Sequence, residues 1–382
     1  MPQTIQAEQP FRITPRMAVM ATFAAFGAMV GTLAGSVPQL ISQSGLTNAS
    51  YGLGITIMTL ATVASMGAAG ALARRFSHRT LLLALMPFIL AMLGLLLVGQ
   101  SFWLFFPLAM LYGLGSGALD VIMNAEGGEV ENDLKRPVYT AFHGSVSLSV
   151  AVFAIVSSLL STMFGTWASL TAASLAVAAA MAMVHAAILP RTLAVPPANP
   201  SSKFSKPLIL LGLAAGLIIA CEVTALLWSS KLLAETAPGL AAISGLGAAF
   251  FGLCNALVRF PGDALRARFG EIRLMSITIV FAIIGFAGLG MTDGFAASVF
   301  FFALTGMGLA VLCPCLFQMS SNQTPHNRAA GLSIAMLVAG LPRIVGPTAF
   351  GAVAEAYSTR LAFGACALVL LAALGVIRSL RV

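Results

Sequence analysis

Charged residues are scarce in this chain. Only 8% of its 382 residues are Asp, Glu, Lys or Arg, whereas ordinary soluble domains carry about a quarter. The mean hydropathy is +0.97, and 59% of the residues are hydrophobic. This shortage of charge excludes a soluble globular enzyme, a disordered chain and a nucleic-acid-binding protein, even though the net charge is +8. The composition predicts a protein that spans a membrane.

Cysteine is also scarce, and we interpret the five cysteines as small packing residues, because all lie in apolar segments: Cys221, Cys254, Cys313, Cys315 and Cys366. No further metal ligand lies near the Cys313-Pro314-Cys315 run. The chain contains neither the Gly-x-x-x-x-Gly-Lys-Ser/Thr sequence of nucleotide-binding loops nor His-Glu-x-x-His. We therefore expect no metal, no cofactor and no enzymatic activity.

Long polar segments are few, and the apolar runs between them suit membrane-spanning helices of about 20 residues. The runs are continuous, unlike the alternating strands of a membrane barrel. The predicted fold class is an all-α polytopic membrane protein with twelve transmembrane helices. Their expected ranges are 17–43, 50–72, 79–99, 103–127, 138–162, 166–188, 207–232, 240–260, 272–291, 296–320, 329–353 and 359–378.

Basic residues are unevenly divided between the loops. If the N-terminus is inside, only Lys231 and Arg360 lie outside, and Arg343 lies within a helix. An excess of Lys and Arg marks the cytoplasmic loops, so both termini are predicted to be cytoplasmic. The other seventeen basic residues are Arg12, Arg16, Arg74, Arg75, Arg79, Lys135, Arg136, Arg191, Lys203, Lys206, Arg259, Arg266, Arg268, Arg273, Arg328, Arg378 and Arg381.

The two halves of the sequence match each other at a constant offset of 193 residues. Gly52-Leu53-Gly54 matches Gly245-Leu246-Gly247, and Gly113 and Gly115 match Gly306 and Gly308. Since this offset spans six helices, the repeat is parallel. We predict an N-terminal six-helix bundle at 1–188, a cytoplasmic linker at 189–206 and a C-terminal six-helix bundle at 207–382.

A basic segment follows the second expected helix: Gly70-Ala71-Leu72-Ala73-Arg74-Arg75-Phe76-Ser77-His78-Arg79. It resembles the loop between helices 2 and 3 of the major facilitator superfamily, typically Gly-x-Leu-x-Asp-Arg-x-Gly-Arg-Arg. Arg74 replaces the acidic residue and Ser77 the glycine. Four features narrow the resemblance to a bacterial branch near the fucose-permease group: Asp120 with Asn124, Phe142-His143, Glu222 with Trp228, and Gly346-Pro347.

The resemblance implies two parallel bundles with the substrate between them, and loops that latch the cytoplasmic side. The expected gating residues are Gly70, Arg75, Arg79, Arg259, Asp263 and Arg268. Asp263 can pair with Arg259 or Arg266, which lie on the same helical face.

Two intramembrane carboxyls, Asp120 and Glu222, are the expected proton-coupling residues. Ionisable groups within a membrane normally face a cavity or a partner, and a desolvated carboxyl holds its proton more strongly. The resemblance implies a proton site at Asp120 with Asn124 as its partner. The alternative for Asp120 is pairing near the cytoplasmic end, and for Glu222 it is a structural role.

The expected substrate-binding residues are polar side chains in apolar segments: Asn124, Gln39, Trp228, Asn255, Arg343 and His143. Arg343 can neutralise Glu222, attract an anionic substrate or extend to the outer surface. Trp228 can stack on a sugar ring or belong to an interfacial aromatic belt. The acidic run from Glu126 to Asp133 is expected to form cytoplasmic salt bridges.

The predicted function is secondary active transport of a small polar solute, sugar-like or an organic acid, by proton-coupled symport. The alternative is a proton-coupled antiporter that exports drugs or metabolites. The expected partners are the solute, protons and the lipid bilayer, with no nucleic acid, and the chain is expected to be a monomer. The expected location is the bacterial inner (cytoplasmic) membrane.

Overall fold

The computed structural model describes residues 13–135, 138–190, 205–324 and 328–379, without the side chains at 139–140, 263 and 328–330. The described part is helical and contains no strand. Its α-helices are α1 (Pro15–Gln43), α2 (Asn48–Arg75), α3 (His78–Val98), α4 (Phe102–Leu134), α5 (Tyr139–Phe164), α6 (Thr166–Ala187), α7 (Lys206–Thr236), α8 (Leu246–Arg259), α9 (Gly262–Phe269), α10 (Glu271–Met291), α11 (Phe295–Leu309), α12 (Leu312–Asn322), α13 (Arg328–Ala356) and α14 (Thr359–Ser379).

Short polar residues and glycines set the helix ends. The side chain of Thr47 accepts from the backbone of Ser50, and the Ser50 hydroxyl accepts from the Thr47 backbone, which forms a capping box at the start of α2. Ser77 caps α3 by accepting from the backbone of Thr80. Gly165, between α5 and α6, has a φ of +85° that side-chain-bearing residues rarely adopt.

Two predicted spans are divided in the structure. Across the described residues, eleven helical segments are long and apolar enough to cross a membrane. The segment predicted as one helix at 240–260 instead forms a 3-10 helix, Pro238–Ile243, followed by the 14-residue α8. The span predicted at 296–320 breaks between α11 and α12, where Pro314 in the first turn of α12 lacks the N–H that an unbroken helix needs.

The helices repeat at the sequence offset of 193 residues. Displaced by this number, the bounds of α3 coincide with those of α10, and the start of α6 coincides with that of α14. The packing repeats too, since α1 packs on α5 as α7 packs on α13, and α3 packs on α6 as α10 packs on α14. The predicted domain boundaries stay a prediction, because 191–204 of the linker lies outside the described residues.

We call the face where α1 begins and α14 ends the terminal side, and the other face the opposite side. The halves meet where α2 packs on α13, where α5 packs on α8, and where α1 packs on α7. A Cβ at Gly52 would lie 2.5 Å from the carbonyl oxygen of Pro347, and one at Gly245 would lie 2.0 Å from that of Ala154. The offset of 193 converts one pair into the other, so the two backbone contacts are related by the internal repeat.

Candidate functional site

A cavity of about 460 Å³ lies between α5, α8 and α12, in the half of the molecule nearer the terminal side. Its lining residues include His143 and Ser147 from α5, Arg259 from α8, and Cys313 and Phe317 from α12. The break between α11 and α12 contributes Ala310 and Val311 to the wall. The cavity thus combines an apolar wall with a few ionisable side chains.

Glu222 is held by Arg259 at this cavity. Arg259 Nη2 donates to Glu222 Oε1 at 3.0 Å, and the two side chains are 34% and 24% exposed, respectively. Glu222 lies near the middle of α7, and Arg259 is the last residue of α8. The expected latch residue Arg259 is therefore the ion-pair partner of the expected proton-coupling residue, a pairing that the sequence analysis did not anticipate.

Arg259 also binds the backbone at the helix break. Its Nε donates to the carbonyl of Ala310 at 3.0 Å. That carbonyl would accept from residue 314 in a continuous helix, but proline has no N–H to donate. The guanidinium therefore satisfies a backbone group that Pro314 leaves unpaired.

A second set of charges comes from α4 and α13. Asn124 Nδ2 donates to Asp120 Oδ1 at 2.9 Å, which is the side-chain pair expected from their spacing of four residues. Arg343 lies within electrostatic range of Asp120 in the other half of the molecule, and also of Glu222. The Nε of Arg343 is buried and has no hydrogen-bond partner among the described residues.

Cys313 is buried, as expected for a packing residue, and it also borders the site, which the sequence analysis did not anticipate. It borders the cavity and lies within electrostatic range of Glu222, Arg259 and Arg343. The sequence analysis interpreted it as a packing residue. The repeat was the signal that could have identified it, because the offset of 193 places Cys313 at the position equivalent to Asp120.

His143 lies at the start of α5 and lines the cavity, as expected for a substrate-binding residue. Its ring packs edge to face on Phe23 of α1, with the ring centroids 5.3 Å apart. Arg259 lies within electrostatic range of this imidazole. His143 therefore belongs to the same site as the Glu222–Arg259 pair.

Trp228 lies neither in an interfacial belt nor at the cavity surface. Its side chain is 0% exposed and packs between Tyr51 of α2 and Phe350 of α13, at centroid distances of 4.8 and 5.0 Å. Both predicted roles, stacking on a solute and anchoring at the interface, are therefore wrong for this conformation. The reason is that the rings of Tyr51 and Phe350 cover the indole of Trp228. This aromatic contact between the halves closes the opposite side of the molecule.

Asn255 and Gln39 do not border the cavity either. Asn255 is 2% exposed within the packed face of α8, and neither its amide nitrogen nor its oxygen has a partner among the described residues. Gln39 lies near the end of α1 on the opposite side. The predicted contact of these side chains with solute therefore has no support from this conformation.

The expected gating residues lie on the terminal side. Gly70 and Arg75 are in the last turns of α2, and Arg79 Nη2 lies 3.0 Å from His185 Nδ1 in the same half. Arg268 lies over the ring of Phe269, and Arg266 donates to Glu271 at 3.0 Å. Asp263 is in α9, but its side chain is outside the described part, so its predicted pairing is not observed there.

Glu126 is buried rather than solvated. His78 Nδ1 and Glu126 Oε2 lie 2.9 Å apart, with the side chains 0% and 1% exposed. The acidic run was expected to form cytoplasmic salt bridges, and Glu126 does pair with a basic side chain, although this pair is buried. Glu126 lies in the last third of α4, and its side chain reaches His78, the first residue of α3.

The halves are closed together on the opposite side. Thr56 of α2 donates through its hydroxyl to the carbonyl of Ile344 at 2.8 Å, and the Asn48 backbone donates to Glu355 at 2.8 Å. Toward the terminal side, a Cβ at Gly67 or Gly70 of α2 would meet no described atom within 4 Å. These two positions of α2 therefore have no close contact with the other described helices, in contrast to the packed start of the helix.

Comparison with known proteins identifies relatives over nearly the whole chain. The family model described as Major Facilitator Superfamily matches residues 210–381. An uncharacterized MFS-type transporter of Yersinia pestis is 26% identical over 375 residues, covering 96% of this chain and 95% of the relative. The membrane protein MosC of Rhizobium meliloti is 22% identical over 344 residues, covering 89% and 83%.

Solved structures share the fold. A mutant of the nucleoside transporter NupG superposes with a TM-score of 0.79 at 13% identity, covering 97% of this chain and 100% of that one. A bacterial homolog of the human lysosomal transporter Spinster, in an inward-facing and occupied conformation, has a TM-score of 0.75 at 13% identity, covering 98% and 97%. The narrower resemblance to the fucose-permease group stays a prediction.

Proposed function

We propose, from the premise that this chain belongs to the major facilitator superfamily, that it is a proton-coupled secondary transporter of a small polar solute. Membership makes the chain a multi-pass membrane transporter and not an enzyme. The coupling to protons, the direction of transport and the class of solute are our proposals. We favour symport, with the solute and proton moving together.

One observation carries the proposal: ionisable side chains from both halves lie within electrostatic range of one another, and hydrogen bonds join the halves on the opposite side. Asp120 belongs to the N-terminal half, whereas Glu222 and Arg343 belong to the C-terminal half. Charges within a membrane are costly and normally serve a pathway or a partner. A site between two related halves, closed on the opposite side, fits alternating access.

We propose that the terminal side is cytoplasmic and that the chain lies in a bacterial inner membrane as a monomer. The arginine-rich ends of α2 and α9 lie on the terminal side. The opposite side carries Lys231 and Arg360, and each is paired with an acidic residue, Glu235 and Asp293 respectively. This distribution follows the preference of cytoplasmic loops for Lys and Arg.

Asp120 and Glu222 are the proposed proton carriers. Each carboxyl lies within reach of an arginine, so protonation of the carboxyl changes the attraction between helices. Glu222 joins α7 to α8 through Arg259, and Asp120 lies within electrostatic range of Arg343 in the other half. Gain and loss of one proton would therefore alter the contacts on which rocking of the halves depends.

The test uses proteoliposomes with an imposed pH gradient. We expect the gradient to drive accumulation of a transported solute, and Asp120→Asn or Glu222→Gln to abolish accumulation while exchange of solute down its own gradient persists. Glu129→Gln, a change of the same kind outside the site, is the matched control. Unchanged pH dependence in both site variants would overturn the proton assignment, and proton-driven exit of solute would favour the antiporter.

A further inference from the structure

We infer that the solute is a small organic anion with an apolar body, whose carboxylate binds between Arg259 and Arg343. The inference rests on the proposed function and adds the chemical class of the solute to it. Its second element is an exchange, in which the incoming carboxylate displaces one of the protein's carboxylates from its arginine. The displaced group then takes up the proton that travels with the solute.

When both carboxyl groups are ionised, the fixed charges around the site cancel before a solute binds. The cationic side chains are Arg259 and Arg343, and the anionic ones are Asp120 and Glu222. At the mouth of the cavity, Arg266 is matched by Glu271. The other titratable groups lining the cavity are His143 on α5 and Cys313 on α12, and Cys315 is buried within electrostatic range of Cys313.

The arginines offer the donors that a carboxylate needs. A guanidinium has five N–H donors in a planar fork. Arg259 uses Nε for Ala310 and Nη2 for Glu222. The Nε of Arg343 is buried and has no hydrogen-bond partner in the described ranges. Because burying an unpaired donor is costly, this group is suited to an acceptor that the solute supplies.

The cavity wall disfavours a sugar. Apart from His143, the only uncharged hydrogen-bonding side chain among its described lining residues is Ser147, whereas the wall includes Phe260, Val311 and Phe317. Asn124 is occupied by Asp120, and Asn255 is buried away from the cavity. A solute with many hydroxyl groups would find few partners here. A carboxylate on an aromatic or aliphatic body matches both the arginines and the wall.

Electroneutrality links anion binding to proton uptake. A monoanion that enters a site of zero net charge leaves one uncompensated negative charge in a poorly solvated region, which is costly. If the solute carboxylate takes the place of Glu222 or Asp120, the displaced carboxylate forms an O–H bond with a proton from the aqueous phase. The net charge returns to zero, and release on the other side reverses both steps.

The experiment uses a thiol introduced by Ser147→Cys as a reporter of occupancy, because Ser147 lines the cavity and is half-buried. In the full chain, Cys221, Cys254, Cys313, Cys315 and Cys366 are replaced by Ala, and the rate at which a methanethiosulfonate reagent labels the Ser147→Cys variant is measured in detergent. The probes are benzoate, hexanoate and lactate at millimolar concentration. Benzamide is the control because it has the shape of benzoate without the charge.

We expect benzoate to slow labelling severalfold and benzamide to leave the rate unchanged. Arg343→Gln should abolish the protection, and Arg343→Lys should retain part of it. Equal thermal unfolding profiles of the two variants exclude misfolding.

Equal protection by benzamide, or no protection by any of the three anions, would overturn the inference. The proton-gradient assay is independent of these probes, so proton-driven transport of a neutral solute would leave the proposed function standing.

Proton uptake tests the exchange. When benzoate is added to the solubilised protein in weak buffer with a pH indicator, we expect one proton to be taken up per anion bound. Glu222→Gln and Asp120→Asn should each abolish the uptake, because either change removes one negative charge and the bound anion is then compensated without a proton. Protection of the Ser147→Cys thiol without proton uptake would overturn the exchange.

Discussion

Arg259 Nε donates a 3.0 Å hydrogen bond to the carbonyl of Ala310, the backbone group that Pro314 leaves without a partner. The same guanidinium binds Glu222 of α7 through Nη2. One side chain at the end of α8 therefore joins α7 to the break between α11 and α12. The geometry of the break thus depends on the arginine that holds the proposed proton-coupling carboxylate.

Removal of this arginine should destabilise the protein, and removal of the proline should partly reverse the effect. We expect Arg259→Gln to lower the free energy of unfolding by about 1–3 kcal/mol, because two charge-assisted hydrogen bonds are lost. Combined with Pro314→Ala, the loss should be smaller, since residue 314 then has an N–H for the Ala310 carbonyl. Thermal unfolding of the four purified proteins (wild type, each single variant and the double variant) gives the coupling between the two sites.

Arg268→Gln is the matched control, because Arg268 is exposed and contacts only the ring of its neighbour Phe269 among the interactions described here. Its effect should stay within about 0.5 kcal/mol, as for other surface changes. A loss for Arg259→Gln that Pro314→Ala leaves unaltered would contradict the role assigned to the Ala310 carbonyl.

The backbone contacts at Gly52 and Gly245 should control the closed state of the opposite side. A Cβ at either position would meet a carbonyl oxygen of the other half at 2.5 Å or less, so Gly52→Ala and Gly245→Ala should separate the halves there. Spin labels at Gln43 and Tyr357, both exposed on that side, should move apart in distance distributions measured by electron paramagnetic resonance. The labels are introduced in a cysteine-free background.

Gly70→Ala is the control for these two variants, because its Cβ would meet no described atom within 4 Å. It should leave the distance distribution unchanged. A distribution that stays at the closed distance in both Gly52→Ala and Gly245→Ala would show that the repeat-related contacts do not set the state of this side.

The overall fold was predictable because its signals are local or periodic. Long apolar runs, the basic residues of the loops and the offset of 193 depend on sequence alone, and the helix bounds repeat at that offset. Pro314 suggested an irregularity in the expected tenth helix, but the sequence did not indicate at which residue the helix breaks. The division of the eighth helix was missed, although Pro238-Gly239 at the start of the 3-10 turn is a turn signal in the sequence.

The site was less predictable, because contacts between helices depend on how each helix is rotated about its axis. Sequence analysis considered Arg343 as the partner of Glu222, whereas the hydrogen-bonded partner is Arg259. The same uncertainty hid the burial of Trp228 and Asn255 and the position of Cys313 beside the cavity. Asp120 and Asn124 were paired correctly because they lie one turn apart on one helix.

Trp228 should be the main contributor to the seal on the opposite side. We expect Trp228→Ala to lower the free energy of unfolding by about 3–5 kcal/mol, because a large buried ring is replaced by a cavity. Trp228→Phe should lose less, since it keeps an aromatic contact with Tyr51 and Phe350. Thermal unfolding of both variants in detergent is the measurement. An exposed tryptophan provides the control, because Trp103→Ala removes the same side chain where it is 80% exposed and should change little.

The hydrogen bond between the buried side chains of His78 and Glu126 should contribute to stability. Its loss should leave the imidazole of His78 without this partner between α3 and α4. Glu126→Ala removes the only described partner of His78 Nδ1, while His78 Nε2 already lacks one in the described part of the chain. We expect a loss of about 1–3 kcal/mol in the free energy of unfolding, the usual effect of an unsatisfied buried group.

Glu126→Gln keeps an acceptor and should lose less, and His78→Phe with Glu126→Leu should recover stability because both polar groups are gone. Chemical unfolding of the four proteins measures these differences, and an equal loss for Glu126→Gln and Glu126→Ala would show that packing, not the hydrogen bond, stabilises this contact.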